Sequence, residues 1–273
     1  MTNTLFSDTF EFCSLGSGSS GNSYYIGDGE DGFLIDAGIN GQHIKHLLQS
    51  INIQIDNIKG IIITHDHIDH IRALNALTRI YNIPVYANFG TWQGILNNRF
   101  SGNVSATCHN LIDSKSVFHL AGFTIQAFNV SHDAQEPVGY HITKGEKTLT
   151  LATDLGMVGE LASVYLSKAN IVIIESNYDE EMLLNGPYSK ELKNRILGEK
   201  GHLDNKDAAR FIADNYNEKM SHIFLCHLSQ ENNTPELALK AVAHAIKEKD
   251  VMIHPNTSIS ALPRTHRSEL YSF

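Results

Sequence analysis

Residues 64–70 read THDHIDH and place three histidines and two aspartates directly behind the apolar run Gly60-Ile61-Ile62-Ile63. A charge taken out of water is costly unless it is paired, hydrogen-bonded or coordinated to a cation. Ionisable side chains this dense at the exit of a buried segment therefore point to metal. Their spacing sorts them further: His65 and His67 alternate along an extended stretch, whereas Asp69 and His70 open the helical pattern IDHIRALNALTRIY. Two directions predict two subsites, one using His65 and His67, the other Asp69 and His70. Imidazole with carboxylate suits Zn, Mn or Fe better than Ca or Mg alone, and the missing thiolates argue against a closed structural zinc. Open coordination positions imply catalysis. A pair of divalent ions roughly 3.5–4 Å apart can acidify a shared water to near neutrality and stabilise charge on the attacked centre.

Similar side chains recur where other apolar runs end. Asp36 closes FLID, His132 follows TIQAFNVS, Asp154 follows TLTLAT, Glu175 closes IVIIE, and His227 follows IFLC. In α/β sheets, chain reversals at the carboxyl ends of strands point side chains into a shared crevice. A solvated loop would also draw Lys, Ser and Asn to such positions. The positioning elements follow from periodicity. Strands are expected at about 9–15, 22–27, 32–36, 60–64, 83–87 and 122–130, with VGYHIT and TLTLAT as a hairpin and NIVIIE, HIFLC and VMIH as later strands. Helices are expected at 40–50, 69–82, 159–168, 204–217 and 235–249, the last two opened by Asp204 and by Thr234-Pro235 as capping signals. No internal repeat or linker interrupts the pattern, which reads as one mixed α/β domain over residues 1–273 with sheets faced by helices.

With 42% hydrophobic and 19% charged residues the composition is that of an ordinary globular chain. The opening MTNTLFSDTFEF lacks a basic-then-apolar leader and no apolar stretch approaches a membrane span, so the expectation is a cytoplasmic protein with no membrane partner. Cys13, Cys108 and Cys226 lie far apart without CxxC spacing and read as small buried apolar residues. The net charge of −9 and the lack of a Lys/Arg block count against a nucleic-acid binder driven by diffuse charge. A phosphodiester substrate stays open, because two bound ions would bring about +4 into a cleft. Nine of the fifteen histidines, including His222 at the entry side of IFLC, read as ordinary surface or half-buried residues. GSGSSGNS at 16–23 lacks a Walker ending and reads as an inter-strand turn; the alternative is that Ser17, Ser19 or Ser20 contacts a substrate phosphate.

HxHxDH after an apolar strand, with lone His, Asp and His at later strand ends, resembles the metallo-β-lactamase superfamily across nearly the whole chain. The resemblance implies a four-layer αββα fold with two divalent ions, Zn or Mn with Fe as a further option. His65, His67 and His132 would bind the first, Asp69, His70 and His227 the second, and Asp154 would bridge them. Asp36 would orient a ligand histidine by hydrogen bond. Glu175 in ESNYD and His202 in GHLDNKDAA resemble the glutamate and histidine that tRNase Z-type enzymes place around the leaving group. GHLDN also reads as a helix entry with His202 at or just before the N-cap. LGSGSSGNSYYI, LIDAG, VSHDAQEP, ATDLG, ESNYDEEML, GHLDNKDAA and CHLSQENN together look like the compact WalJ-type exonuclease group, which degrades double-stranded DNA from the 5′ end. The interval from Asp154 to His227 has no room for the inserted β-CASP domain of RNase J-like enzymes, and no tRNA-grasping arm is visible. The expected function is a 5′-to-3′ DNA exonuclease whose metal-activated hydroxide attacks phosphorus, with Asp69 as base and Glu175–His202 protonating the leaving oxygen. A tRNase Z-like RNA-processing enzyme, a thioester, lactone or β-lactam hydrolase, and a non-catalytic metal-binding regulator are the alternatives.

Overall fold

The computed structural model describes residues 9–101 and 103–273; the first residues of the stretch read for a leader lie outside them. β1 (Glu11–Gly16), β2 (Ser23–Gly27) and β3 (Gly32–Ile35) pair antiparallel, and β4 (Ile58–Ile62), β5 (Val85–Ala87) and β6 (His109–Leu111) continue in parallel. In a second sheet, β7 (Val117–Leu120), β8 (Phe123–Asn129), β9 (Val138–Lys144) and β10 (Lys147–Ala152) pair antiparallel. β11 (Ile171–Glu175), β12 (His222–Cys226) and β13 (Ser258–Ala261) extend it in parallel. With β14 (Tyr271–Ser272) on β1, each sheet has seven strands among the described residues.

Side chains alternate across a strand, so a strand buried on both faces feeds two cores. Ile171 and Ile173 of β11 point between the sheets beside Phe12, Tyr24, Phe123, Tyr140 and Phe224, while Val172 and Ile174 point outward. On the outer face of the first sheet lie α1 (Gly41–Gln49), α2 (Ile68–Ile71), α3 (Leu74–Tyr81) and α4 (Phe89–Asn97), contributing Ile44, Ile71, Leu77 and Trp92 to its core. The second sheet is covered by α5 (Glu160–Lys168), and a pair of short helices, α6 (Glu180–Asn185) and α7 (Lys190–Leu197), stands beside it on a small cluster of its own. α8 (Asn205–Asn215) and α9 (Pro235–Glu248) complete the cover. The result is the four-layer αββα arrangement. The three cysteines are buried and free.

Several boundaries differ from those read off the sequence. The helix expected at 69–82 is two helices, because the backbone around Ala37 intervenes: Ala37 N–H donates to His70 O at 2.7 Å and Ala73 N–H donates to Ala37 O at 2.8 Å. β4 ends at Ile62, which leaves Thr64 and His65 beyond the ladder. VMIH is not a strand; Met252 is 89% exposed, and the sheet edge beside β12 is taken by Ser258–Ala261. β6, β7, β13, β14, α4, α6 and α7 were not legible, since each is short and mixed in polarity. The N-caps stand where expected: Asp204 accepts from Lys206 N–H at 2.5 Å, and Thr234 Oγ1 accepts from Leu237 N–H at 3.2 Å ahead of Pro235. His202 precedes that cap by two residues and is not itself the cap.

Candidate metal centre

β3, β4, β8, β10, β11 and β12 all end on one side of the sandwich, and the groups just past them converge. Three of these exits are left-handed at non-glycine residues: Asp36 at φ 60°, Asp154 at φ 52° and His227 at φ 52°. Such backbone costs about 1–3 kcal/mol per residue and persists where surrounding structure holds it. Here it turns each side chain sharply inward from its strand.

His65, His67 and His132 present ring nitrogens to one another, with His132 Nε2 3.2 Å from His67 Nδ1. Asp69, His70 and His227 form a second group, and Asp154 lies between the two. Its Oδ2 is 3.3 Å from His70 Nε2, and its Oδ1 is 3.2 Å from His227 Nδ1 and 3.9 Å from His132 Nε2. The trios drawn from the sequence are thus adjacent in space, with Asp154 shared.

The rings of His70, His132 and His227 are fixed from behind. His70 Nδ1 meets Asp36 Oδ2 at 2.7 Å, and Asp36 in turn accepts from Thr64 N–H and Thr64 Oγ1–H, both at 2.8 Å. His132 Nδ1 meets Gly201 O at 2.9 Å. His227 Nδ1 and His202 Nδ1 share Glu175 Oε1, each at 2.8 Å, while Glu175 Oε2 accepts from Leu155 N–H and Leu203 N–H. Glu175 therefore holds two imidazoles, a link to His227 that spacing could not reveal.

The electrostatics favour a cation. Asp36, Asp154 and Glu175 are all but fully buried. Burial by itself depresses the His227 imidazolium, yet Asp154, Asp69 and Glu175 outweigh it and push its pKa up to about 10. His70 is likewise held protonated against its burial, chiefly by Asp154 and Asp36, whereas burial and the neighbouring His70 keep His65 neutral. Protons in such a cluster stand where a metal would, since ligation displaces them. The buried Nε2 atoms of His65 and His227 have no hydrogen-bond partner among the described residues. Orphaned imidazole nitrogens beside carboxylates are the donor set of a divalent ion, and the residues fit one.

Of the three serines, Ser17 is buried and spent: its Oγ meets Tyr24 OH and accepts from His227 N–H, both at 2.9 Å. It cannot reach a substrate, and its role is to seat His227. Ser19 and Ser20 are exposed in the β1–β2 turn, and Ser19 lines the cleft. His222 stands at the opposite end of β12, packed on Phe273 with ring centroids 4.8 Å apart. Two neighbours of the centre were not foreseen. Asn22 Nδ2 lies 3.0 Å from His70 Nε2, and Asp133 Oδ1 lies 3.5 Å from His132 Nε2 and 3.7 Å from His67 Nε2. Neither has a spacing signal; Asp133 is marked only by following His132.

Two sheets between helices, with histidines and carboxylates gathered at one edge of the sandwich, define a metal-dependent hydrolase. The chain belongs to the family described as Beta-lactamase superfamily domain, which matches residues 32–227. It is 38% identical over 238 residues to Exodeoxyribonuclease YycJ of Bacillus anthracis, covering 87% of this chain and 89% of that protein. To Exodeoxyribonuclease WalJ of Streptococcus pneumoniae it is 36% identical over 242 residues, 89% and 90% of the two chains. Among solved structures, the metallo-beta-lactamase fold protein YhfI from Bacillus subtilis superposes with a TM-score of 0.70 at 13% identity, over 97% of this chain and 100% of that one, a likeness of fold alone.

Proposed function

We propose that this protein is a metal-dependent nuclease that removes nucleotides from the 5′ end of double-stranded DNA, in the cytoplasm and as a single domain. The observation that carries the reading is the Glu175–His202 pair. It sets a partly exposed imidazole at the mouth of the histidine cluster, where the hydrolysis of an unactivated phosphodiester needs an acid for its alkoxide. Relatives named exodeoxyribonucleases over nearly their full length support DNA and attack from an end.

In this reading His65, His67 and His132 would hold one divalent ion, Asp69, His70 and His227 a second, and Asp154 would serve both; Zn or Mn suits these donors, with Fe a further option. Bound ions supply an acidified water and neutralise charge on the phosphate. The protein's own groups do the rest. Asp36, the Gly201 carbonyl and Glu175 fix the rings of His70, His132 and His227 so that their free nitrogens face inward. Asp69, 19% exposed at the edge of the cluster, takes the proton of the attacking water. His202, oriented through Nδ1 by Glu175, donates from Nε2 to the departing O3′. The new P–O bond comes from water, the P–O3′ bond breaks, and both protons are accounted for.

Digestion of 5′- and 3′-labelled DNA and RNA duplexes with Mn or Zn, run beside a chromogenic β-lactam, tests this. Mononucleotides released first from 5′-labelled DNA are expected. Lactam hydrolysis with inert DNA would remove the nuclease reading, and first release of the 3′ label would remove the polarity.

A further inference from the structure

Between β11 and α8 the chain makes an excursion through α6 and α7, and a cleft of about 150 Å³ opens between that excursion and the metal centre. One wall is apolar, from Tyr188, Leu192 and Ile196, with Tyr188 and Leu192 backed by Tyr178 and Leu183. The rest of the lining is polar and includes Ser19, Asp133, His202 and, on α7 next to Ile196, Arg195. Arg195 is gripped by Asp133, Nε to Oδ2 at 2.5 Å and Nη2 to Oδ1 at 3.1 Å. Its Nη1 has no partner among the described residues and keeps its donors. Asp133 in turn abuts His67 and His132, so the guanidinium is held at a fixed place beside the centre.

We infer that this cleft is the subsite for the departing terminal nucleotide, with Tyr188, Leu192 and Ile196 taking the base and Arg195 the 5′-phosphate. The inference rests on the nuclease reading and deepens it. His202 lines the cleft, and an acid must lie beside the oxygen it protonates, so the fragment that leaves through O3′ occupies this space. A cleft of this size cannot take a long strand. In attack from the 5′ end the O3′ fragment is one nucleotide; in attack from the 3′ end it would be the remaining polymer. An apolar surface beside a guanidinium held by Asp133 matches the two halves of a nucleotide, a stacking face and a dianion that accepts fork-like hydrogen bonds. The same excursion supplies His202 and, through Gly201 O, the support of His132, so an occupied subsite and the reacting groups share one segment.

Two ratios, each taken within one enzyme preparation, test the assignment. On duplexes with 5′-phosphate or 5′-hydroxyl ends the wild type should prefer the phosphate in kcat/KM by roughly 10–100-fold, the scale of a charge-assisted hydrogen bond. Arg195→Ala should bring that preference to near unity, and Arg195→Lys should keep part of it. With bis(p-nitrophenyl) phosphate as substrate, deoxyadenosine 5′-monophosphate should inhibit the wild type more strongly than deoxyadenosine, and Tyr188→Ala should weaken inhibition by both while Tyr188→Phe does not. A wild type indifferent to the terminal phosphate, or an Arg195→Ala variant that keeps the preference, would overturn the subsite while the nuclease reading stands. A wild type that hydrolyses the nitrophenyl ester but leaves DNA of either terminus intact would overturn the nuclease reading itself.

Discussion

The residue that separates a paired centre from two independent ones is Asp154, which lies 3.3 Å from His70 Nε2 and 3.2 Å from His227 Nδ1 of one group and 3.9 Å from His132 Nε2 of the other. Asp154→Ala should abolish activity and lower metal content at both subsites, and elemental analysis decides it: two metals fully retained would end the bridging assignment. His222→Ala, at the far end of β12, should leave metal content near that of the wild type. His202 groups with Asp154, Glu175 and His227 but is held through Nδ1 by Glu175 and stands outside the two proposed ligand sets, so His202→Ala should spare the metals yet slow turnover about 10²–10⁴-fold on an alkoxide leaving group. With a nitrophenolate, which departs with little protonation, the loss should be much smaller. Equal losses on both substrates would make His202 a positioning residue.

At the scale of elements, the site depends on how closely backbones approach. A Cβ on Gly38 would lie 1.5 Å from Asp69 O, on the segment where Gly38 N–H donates to Asn22 O and Asn22 N–H donates to Asp69 O. Gly38→Ala should therefore displace the start of α2, remove metal from the Asp69–His70–His227 group before the other, and destabilise by about 1–3 kcal/mol or more. Site-selective loss is readable by metal titration. Thr234→Ala removes the α9 cap, whose hydroxyl bonds Leu237 N–H and no group of the centre; it should cost about 1 kcal/mol in denaturant unfolding and leave metal binding unchanged.

For the whole molecule, candidate ligands come from both sheets, so a bound ion ties the two halves of the sandwich together. Ligand binding to the folded state alone stabilises it by about 2.7 kcal/mol at a hundredfold excess over Kd, and chelation should lower Tm by about 5–10 °C in a calorimetric scan. A second dependence sits away from the centre at His141, whose Nδ1 meets Thr150 Oγ1 at 2.7 Å and whose ring packs on Tyr165. Burial first, and Lys168 second, hold its pKa below the ordinary value of 6.5. The unfolded chain takes up this proton earlier on acidification, so the contribution of neutral His141 is intact above 6.5 and is lost as pH falls from there toward the lower folded value. The stability difference between wild type and His141→Gln, measured in chelator, should shrink as pH falls from 7 to 5; a constant difference would rule this out.

Metal chemistry was legible in the sequence because THDHIDH puts charge where an apolar run ends, and only a cation or a network of partners makes that tolerable. Strand exits at Asp36, Asp154, Glu175 and His227 were legible for a related reason: runs buried on both faces are continuous in sequence, so their ends are sharp, whereas His132 follows a strand that alternates. The tertiary structure decided what depends on contacts between distant segments. It split the helix at 69–82 through Ala37, turned Ser17 inward onto His227, gave Glu175 a second imidazole, and brought Asp133, Arg195 and the α6–α7 excursion to the edge of the centre. None of these leaves a local trace, since a partner distant along the chain is set by sheet order and packing, not by a residue's neighbours in the chain.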